Sequence, residues 1–165
     1  MPSPYNYHFD DKAQSYVFST ENGVQYSVAF FLDQSLFALS NIQFSDVYQV
    51  VIEKVTPERE PLDNRVSATI CDILSKFFQN SKNTILFICD DVDGRAYSRF
   101  RKFNSWYAQS ELTSSIIKID KVFVNENIAG SAKVYSSLIY HVDNDDKDVI
   151  LDVYDSIEQI LNEKN

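Results

Sequence analysis

Glycine is scarce in this chain, three residues among 165. A glycine-rich loop that cradles phosphate needs several close together, so that chemistry is excluded. Cysteine is nearly absent as well: Cys71 and Cys89 stand in apolar surroundings with no close pairing motif. That excludes a disulfide framework and predicts two reduced, packed thiols. His8 and His141 are the two histidines, far apart in sequence, and no Cys or His cluster has metal-ligand spacing. No metal and no cofactor is therefore expected. A nucleophilic Cys89 activated by His141 is the reading to set against a packed Cys89. Bases are few, 15 Lys and Arg against 24 Asp and Glu, for a net charge of −9. General binding to a phosphate backbone needs a basic surface, so nucleic acid is not an expected partner. An acidic chain is compatible with a basic protein partner. No apolar run approaches the roughly 18–20 residues that span a bilayer. The opening residues MPSPYNYHFDD have neither a basic region nor an apolar signal core, and a cytosolic protein is expected.

What the chain does have is apolar and aromatic material. Hydrophobic residues make up 44%, with twelve Phe and ten Tyr. That is enough for a full core and points to a sheet-rich fold in one domain spanning residues 1–165. The most informative stretch runs from Asn83 to Tyr107. Ile85 to Cys89 is an uninterrupted apolar run, the pattern of a strand covered on both faces. It stops at Asp90, Asp91 and Asp93, and Gly94 then permits a turn. A helix is predicted over 95–109, with Phe100, Phe103 and Tyr107 on one stripe and Arg95, Arg99 and Lys102 on another. Asp93 stands where a cap for the first amides would be.

Upstream, the alternation in Tyr5–Phe9 and Ser15–Thr20 predicts strands. Asn22-Gly23 predicts a hairpin into Val24–Leu32. Asp33-Gln34-Ser35 reads as a turn, Leu36–Leu39 as a short strand and Asp46–Val55 as a longer one. Thr56 to Pro61 reads as an exposed connection. Asp63 caps a helix over 64–79 that turns Val66, Ile70, Ile73, Leu74, Phe77 and Phe78 inward. Downstream, Ser114–Val124 places Ile117, Ile119 and Phe123 on one side of a strand. Lys133–Val142 is the last strand and 147–162 the last helix, with Ile150, Val153, Ile157, Ile160 and Leu161 inward. The expected fold is α+β: a largely antiparallel sheet, opened by a β-meander and packed with about three helices.

Two groups of residues carry candidate chemistry. The bases Arg95, Arg99, Arg101 and Lys102 can contact a carboxylate or phosphate of a partner, or form a solvated face paired with nearby acids. Trp106 with Tyr107 can be an interface anchor or core. The acids Asp90, Asp91 and Asp93 can hold a metal ion or cap a turn. Asp91-Val92-Asp93-Gly94 after an apolar strand resembles the nucleophile motif of haloacid-dehalogenase-like phosphatases. That resemblance implies a parallel sheet, Asp91 attacking phosphorus, Asp93 handling the leaving-group proton, a magnesium ion, Lys118 or Lys121 as the lysine and Asp145-Asp146 as distal acids. Arg95 departs from the Thr or Val usual after the Gly. Tyr16-Val17-Phe18-Ser19-Thr20 together with Cys89, Asp90, Asp93, Gly94, Arg95, Arg99, Phe103 and Trp106 is similar to a family of uncharacterised small proteins from Bacteroidetes, over most of the chain to about Leu112. That resemblance implies a site and no activity. A non-enzymatic, cytosolic protein-binding module is the leading expectation, and immunity-type, antitoxin or defence-accessory roles fit its size and charge. The rival is a metal-dependent phosphoryl or nucleic-acid hydrolase using the Asp90, Asp91 and Asp93 loop.

Overall fold

The computed structural model describes residues 2–89, 93–125 and 132–163. The chain opens with β1 (Tyr7–Asp10), β2 (Ser15–Ser19) and β3 (Gln25–Leu32), a meander joined by tight turns. The β2–β3 turn closes through Thr20 N–H to Val24 O at 2.9 Å and Gly23 N–H to Thr20 O at 3.0 Å. Gly23 sits at φ +76°, a conformation that costs glycine little. Then follow α1 (Ser35–Ser40), β4 (Val47–Lys54), α2 (Asn64–Phe77), β5 (Thr84–Cys89), α3 (Ala96–Gln109), a 3-10 turn (Glu111–Ser114), β6 (Ile116–Asn125), β7 (Ala132–His141) and α4 (Lys147–Glu163).

The strands form one sheet in the order β1-β2-β3-β4-β5-β7-β6. Every pairing is antiparallel except β4–β5, and that parallel ladder ends after two pairs, Val47↔Thr84 and Tyr48↔Ile85. The α+β architecture with an N-terminal meander is as the sequence predicts, as are the three long helices.

Two cores lie on opposite faces of the sheet. On one, Phe18, Val28, Val50, Ile85 and Ile139 meet Val66, Ile70, Ile73 and Leu74 of α2 and Phe103 of α3. On the other, Val47, Leu86, Leu138 and Tyr140 meet Leu36 of α1 and Ile150, Val153, Tyr154 and Ile157 of α4. Successive residues Ile85 and Leu86 thus serve different cores, which is why β5 is apolar without alternation. Ile160 and Leu161, expected inward on α4, have side chains outside the described set.

The expected short strand fails. Leu36–Leu39 is not a strand but part of the six-residue α1. Asp33 is the reason. Its Oδ1 accepts from the backbone N–H of Ser35 at 2.9 Å and from the Ser35 hydroxyl at 2.5 Å, capping a helix where a turn was expected. No helix among the described residues is long and apolar enough to cross a membrane.

Candidate functional site

Helix α3 is fixed to the sheet by a narrow inner stripe. Ala96, Phe100 and Phe103 are buried; Phe103 stacks on Phe87 of β5 at 4.7 Å between centroids, and the Tyr107 hydroxyl donates to Ile116 O at 2.6 Å. Asn104, Trp106 and Tyr107 flank that stripe half-buried, and the remaining circumference is open. Arg95, Arg99, Arg101 and Lys102 are all exposed, as the spacing predicts, and Tyr97 is exposed beside them. Arg101 lies 5.7 Å from the Tyr97 ring centroid and Lys102 lies 5.1 Å from that of Trp106. Trp106 is half-buried against the first core, so it is neither a free anchor nor wholly interior.

The approach to α3 carries the acids. Asp90 and Asp91 lie outside the described residues. Asp93 Oδ1 accepts the Arg95 N–H at 3.1 Å and pairs with the Arg99 guanidinium. That guanidinium, helped by the backbone bond, holds the Asp93 carboxyl below the usual carboxylate range. Asp93 was expected to cap helix amides. The N-cap position is instead Arg95, with no side-chain bond, and the turn at Gly94 (φ +68°) leaves Asp93 two residues before the cap.

Beneath α3 lies a polar cluster that reading the sequence missed. Lys118 of β6 has a side chain only 3% exposed, running under Phe100 with its ammonium 5.2 Å from the ring centroid and ending on Asp120. Asp120 Oδ1 also accepts from the Ser137 hydroxyl at 2.6 Å, and Oδ2 from Asn104 Nδ2 at 3.3 Å. Burial pushes the Lys118 amine below the ordinary lysine value, and the Asp120 hydrogen bond opposes this. A second cluster joins the Tyr26 hydroxyl to Glu60 Oε2 at 3.0 Å, in the stretch expected to be an exposed connection.

The phosphatase-like constellation is not assembled. β5 is antiparallel to β7 and parallel to β4 for two pairs only, so the implied parallel sheet is absent. Lys121 projects to the opposite face from Lys118, bonding Asp155 of α4 at 2.5 Å. Asp145 and Asp146 adjoin Asn144, which bonds Thr84 at the first residue of β5, whereas Asp93 lies beyond the last. The two ends are about 17 Å apart at ~3.3 Å per residue. A Cys89–His141 pair fails in the same way. Cys89 pairs with Tyr135, and His141 lies six residues further along β7, about 20 Å away. Both cysteines are buried. Cys71 donates weakly to Trp106 O at 3.7 Å, and burial pushes its thiol up to about 11. Among the described residues no three His, Cys, Asp or Glu are grouped to hold a metal ion.

No curated protein and no solved structure matches the chain. A family of unknown function, DUF6169, matches residues 62–156, which include the Cys89–Trp106 block but not the Tyr16–Thr20 hairpin. That match covers more than half of the sequence, from the cap of α2 into α4, and takes in both the acidic approach and the whole of α3. The chain belongs to the family of unknown function DUF6169.

Proposed function

We propose that this is a non-enzymatic, cytosolic protein-binding module whose outward α3 face docks an acidic segment of a partner protein. The observation that carries the reading is charge placement. In a chain of net charge −9, three exposed bases, Arg95 at the cap of α3 and Arg101 and Lys102 within it, have no acid within ion-pair distance among the described residues. A cluster of one sign set in a field of the other favours a complementary surface and speeds encounter with it. The inner stripe of Phe100 and Phe103 holds the helix, so the bases stand at fixed spacing. Two buried cysteines set far apart in the sequence fit a reducing compartment.

The test starts from affinity capture in the native host, followed by titration of the purified captured protein against wild type, Arg95→Lys and Arg99→Lys. Lysine keeps the charge but not the bidentate fork, so binding should weaken roughly five- to tenfold with an unchanged melting temperature. Asp93–Arg99 is an exposed pair that water screens, so a large loss of stability is not expected. Wild-type values for both quantities would leave α3 a solvated face and refute the reading. The hydrolase reading predicts something different: a melting temperature raised by magnesium, manganese or calcium, with the rise lost in Asp93→Asn. The engagement of Asp93 by Arg99 favours the docking reading, because its charge already has a partner.

A further inference from the structure

Tyr26 stands paired with Lys54, where β4 ends, and the chain running on from there to α2 lies beside the C-terminal half of α3. Between them lies a cleft of about 280 Å³ walled by Tyr26, Glu60, Leu62, Lys102 and Trp106. It is smaller than the ~300–1,000 Å³ of ordinary small-molecule pockets and on the scale of one long side chain.

Its polar groups do not balance. Glu60 Oε2 takes the Tyr26 hydroxyl, but Oε1 is buried and accepts no hydrogen bond from any described residue. A carboxylate oxygen is costly to bury without a donor. The other carboxylate of the cleft, Asp63, is fully engaged: Oδ1 holds the Arg65 N–H at 2.8 Å and Oδ2 the Tyr5 hydroxyl at 2.6 Å. The single base, Lys102, is exposed and rests on the Trp106 ring without an acid partner among the described residues. Two carboxylates against one ammonium leave the cleft negative, with an acceptor lacking a donor next to an indole face. A guanidinium matches that arrangement: it donates in a planar fork and stacks on aromatic rings.

We infer that this cleft receives an arginine side chain of a partner protein, its guanidinium donating to Glu60 and lying on Trp106 in place of the Lys102 ammonium. The inference extends the docking reading to the C-terminal end of α3 and rests on it only for the source of the arginine.

Trp106 is the one tryptophan of the chain, so tryptophan-selective excitation reads this wall of the cleft without interference from another indole. The wild-type protein is titrated with N-acetylarginine amide, with N-acetyllysine amide and with the neutral isostere N-acetylcitrulline amide. The expected result is a saturable change with arginine, roughly tenfold weaker with citrulline, as loss of one charged hydrogen bond implies. Glu60→Gln should weaken the arginine response by a similar factor, and Lys102→Gln should bind at least as tightly as wild type. A response that does not saturate, equal responses to arginine and citrulline, tighter binding of lysine than arginine, or a Glu60→Gln protein that binds like wild type overturns the inference. The citrulline comparison uses unaltered protein, so it decides even if Glu60→Gln folds poorly. Arginine saturation alongside unchanged partner binding by Arg95→Lys and Arg99→Lys would sink the docking reading and leave this one standing; the converse sinks this one.

Discussion

Removing the Asp120 carboxylate should hurt the protein far more than removing the Lys118 ammonium it holds. Asp120→Ala strands a lysine whose side chain is 3% exposed and deprives the Ser137 hydroxyl, itself fully buried, and Asn104 of their acceptor. Breaking a buried pair from one side costs about 3–5 kcal/mol. The Asp120 side chain is 39% exposed, so water already screens part of the pair, and about 2–3 kcal/mol is the better expectation. For a domain of this size that is a fall in melting temperature of roughly 5–10 °C. Lys118→Met is the opposite case. It keeps an unbranched stem against Phe100, removes the buried charge, and leaves Asp120 half open to water with two donors still bound. Its effect should lie within about 1 kcal/mol of zero, in either direction. The double variant should recover part of the Asp120→Ala loss, a coupling that urea denaturation at neutral pH measures directly. If Lys118→Met costs as much as Asp120→Ala, or more, the cluster is not a buried lysine made tolerable by its acid, and the reasoning fails.

Asn144→Ala should cost about 2–4 kcal/mol in the same assay. The amide is buried, donates to Lys82 O and Thr84 Oγ1 at 3.0 Å each, and accepts from Asp146 N–H at 2.9 Å; a loss under about 0.5 kcal/mol would contradict the view that it ties α4 to β5. Burial pushes the phenols of Tyr26 and Tyr154 up to about 12, above the unfolded value of 10.0. A raised folded value means stabilisation fully present below pH 10 and lost as pH rises from there towards 12. Tyrosinate absorbance should therefore show a late wave coincident with loss of circular dichroism, and one wave near pH 10 with the spectrum intact would refute this.

The long elements were legible because their signals are local. Asp63 with the spacing of Val66, Ile70, Ile73 and Leu74 defines α2, and the unbroken run at Ile85 defines a strand covered twice. The Asp93–Arg99 pairing also lay within reach, as the balanced-charge reading of the basic stripe. α1 did not, because six residues give too few turns for a helical period to show, and Leu36–Leu39 suits a strand equally well. The Lys118 cluster was hidden for another reason. Period-two alternation on β6 correctly assigned Ile119 and Phe123 to one core, but nothing local says that α3 covers the other face, where Lys118 and Asp120 point. Glu60 was hidden by distance: its burial depends on Tyr26, 34 residues earlier, in a segment whose prolines and charges read as solvated.

Where a partner can approach follows from how the sheet is finished. β6 is an edge strand of ten residues, and its outer backbone groups are the kind of row that recruits another strand. Lys118 and Asp120 set a charged pair on its inner face, directly under α3. A strand added there would have to continue the sheet beside that pair and cover its partly open carboxylate, at a desolvation cost that an apolar edge would not impose. At the opposite edge, β1 is four residues long and follows Pro2 and Pro4, which lack the amide hydrogen a ladder needs. Both edges thus disfavour strand addition, while α3 combines a firmly packed inner stripe with an outward face of exposed bases and an exposed ring. For the docking proposed above, recognition by side chains on α3, rather than by backbone at a sheet edge, is the mode that fits these edges.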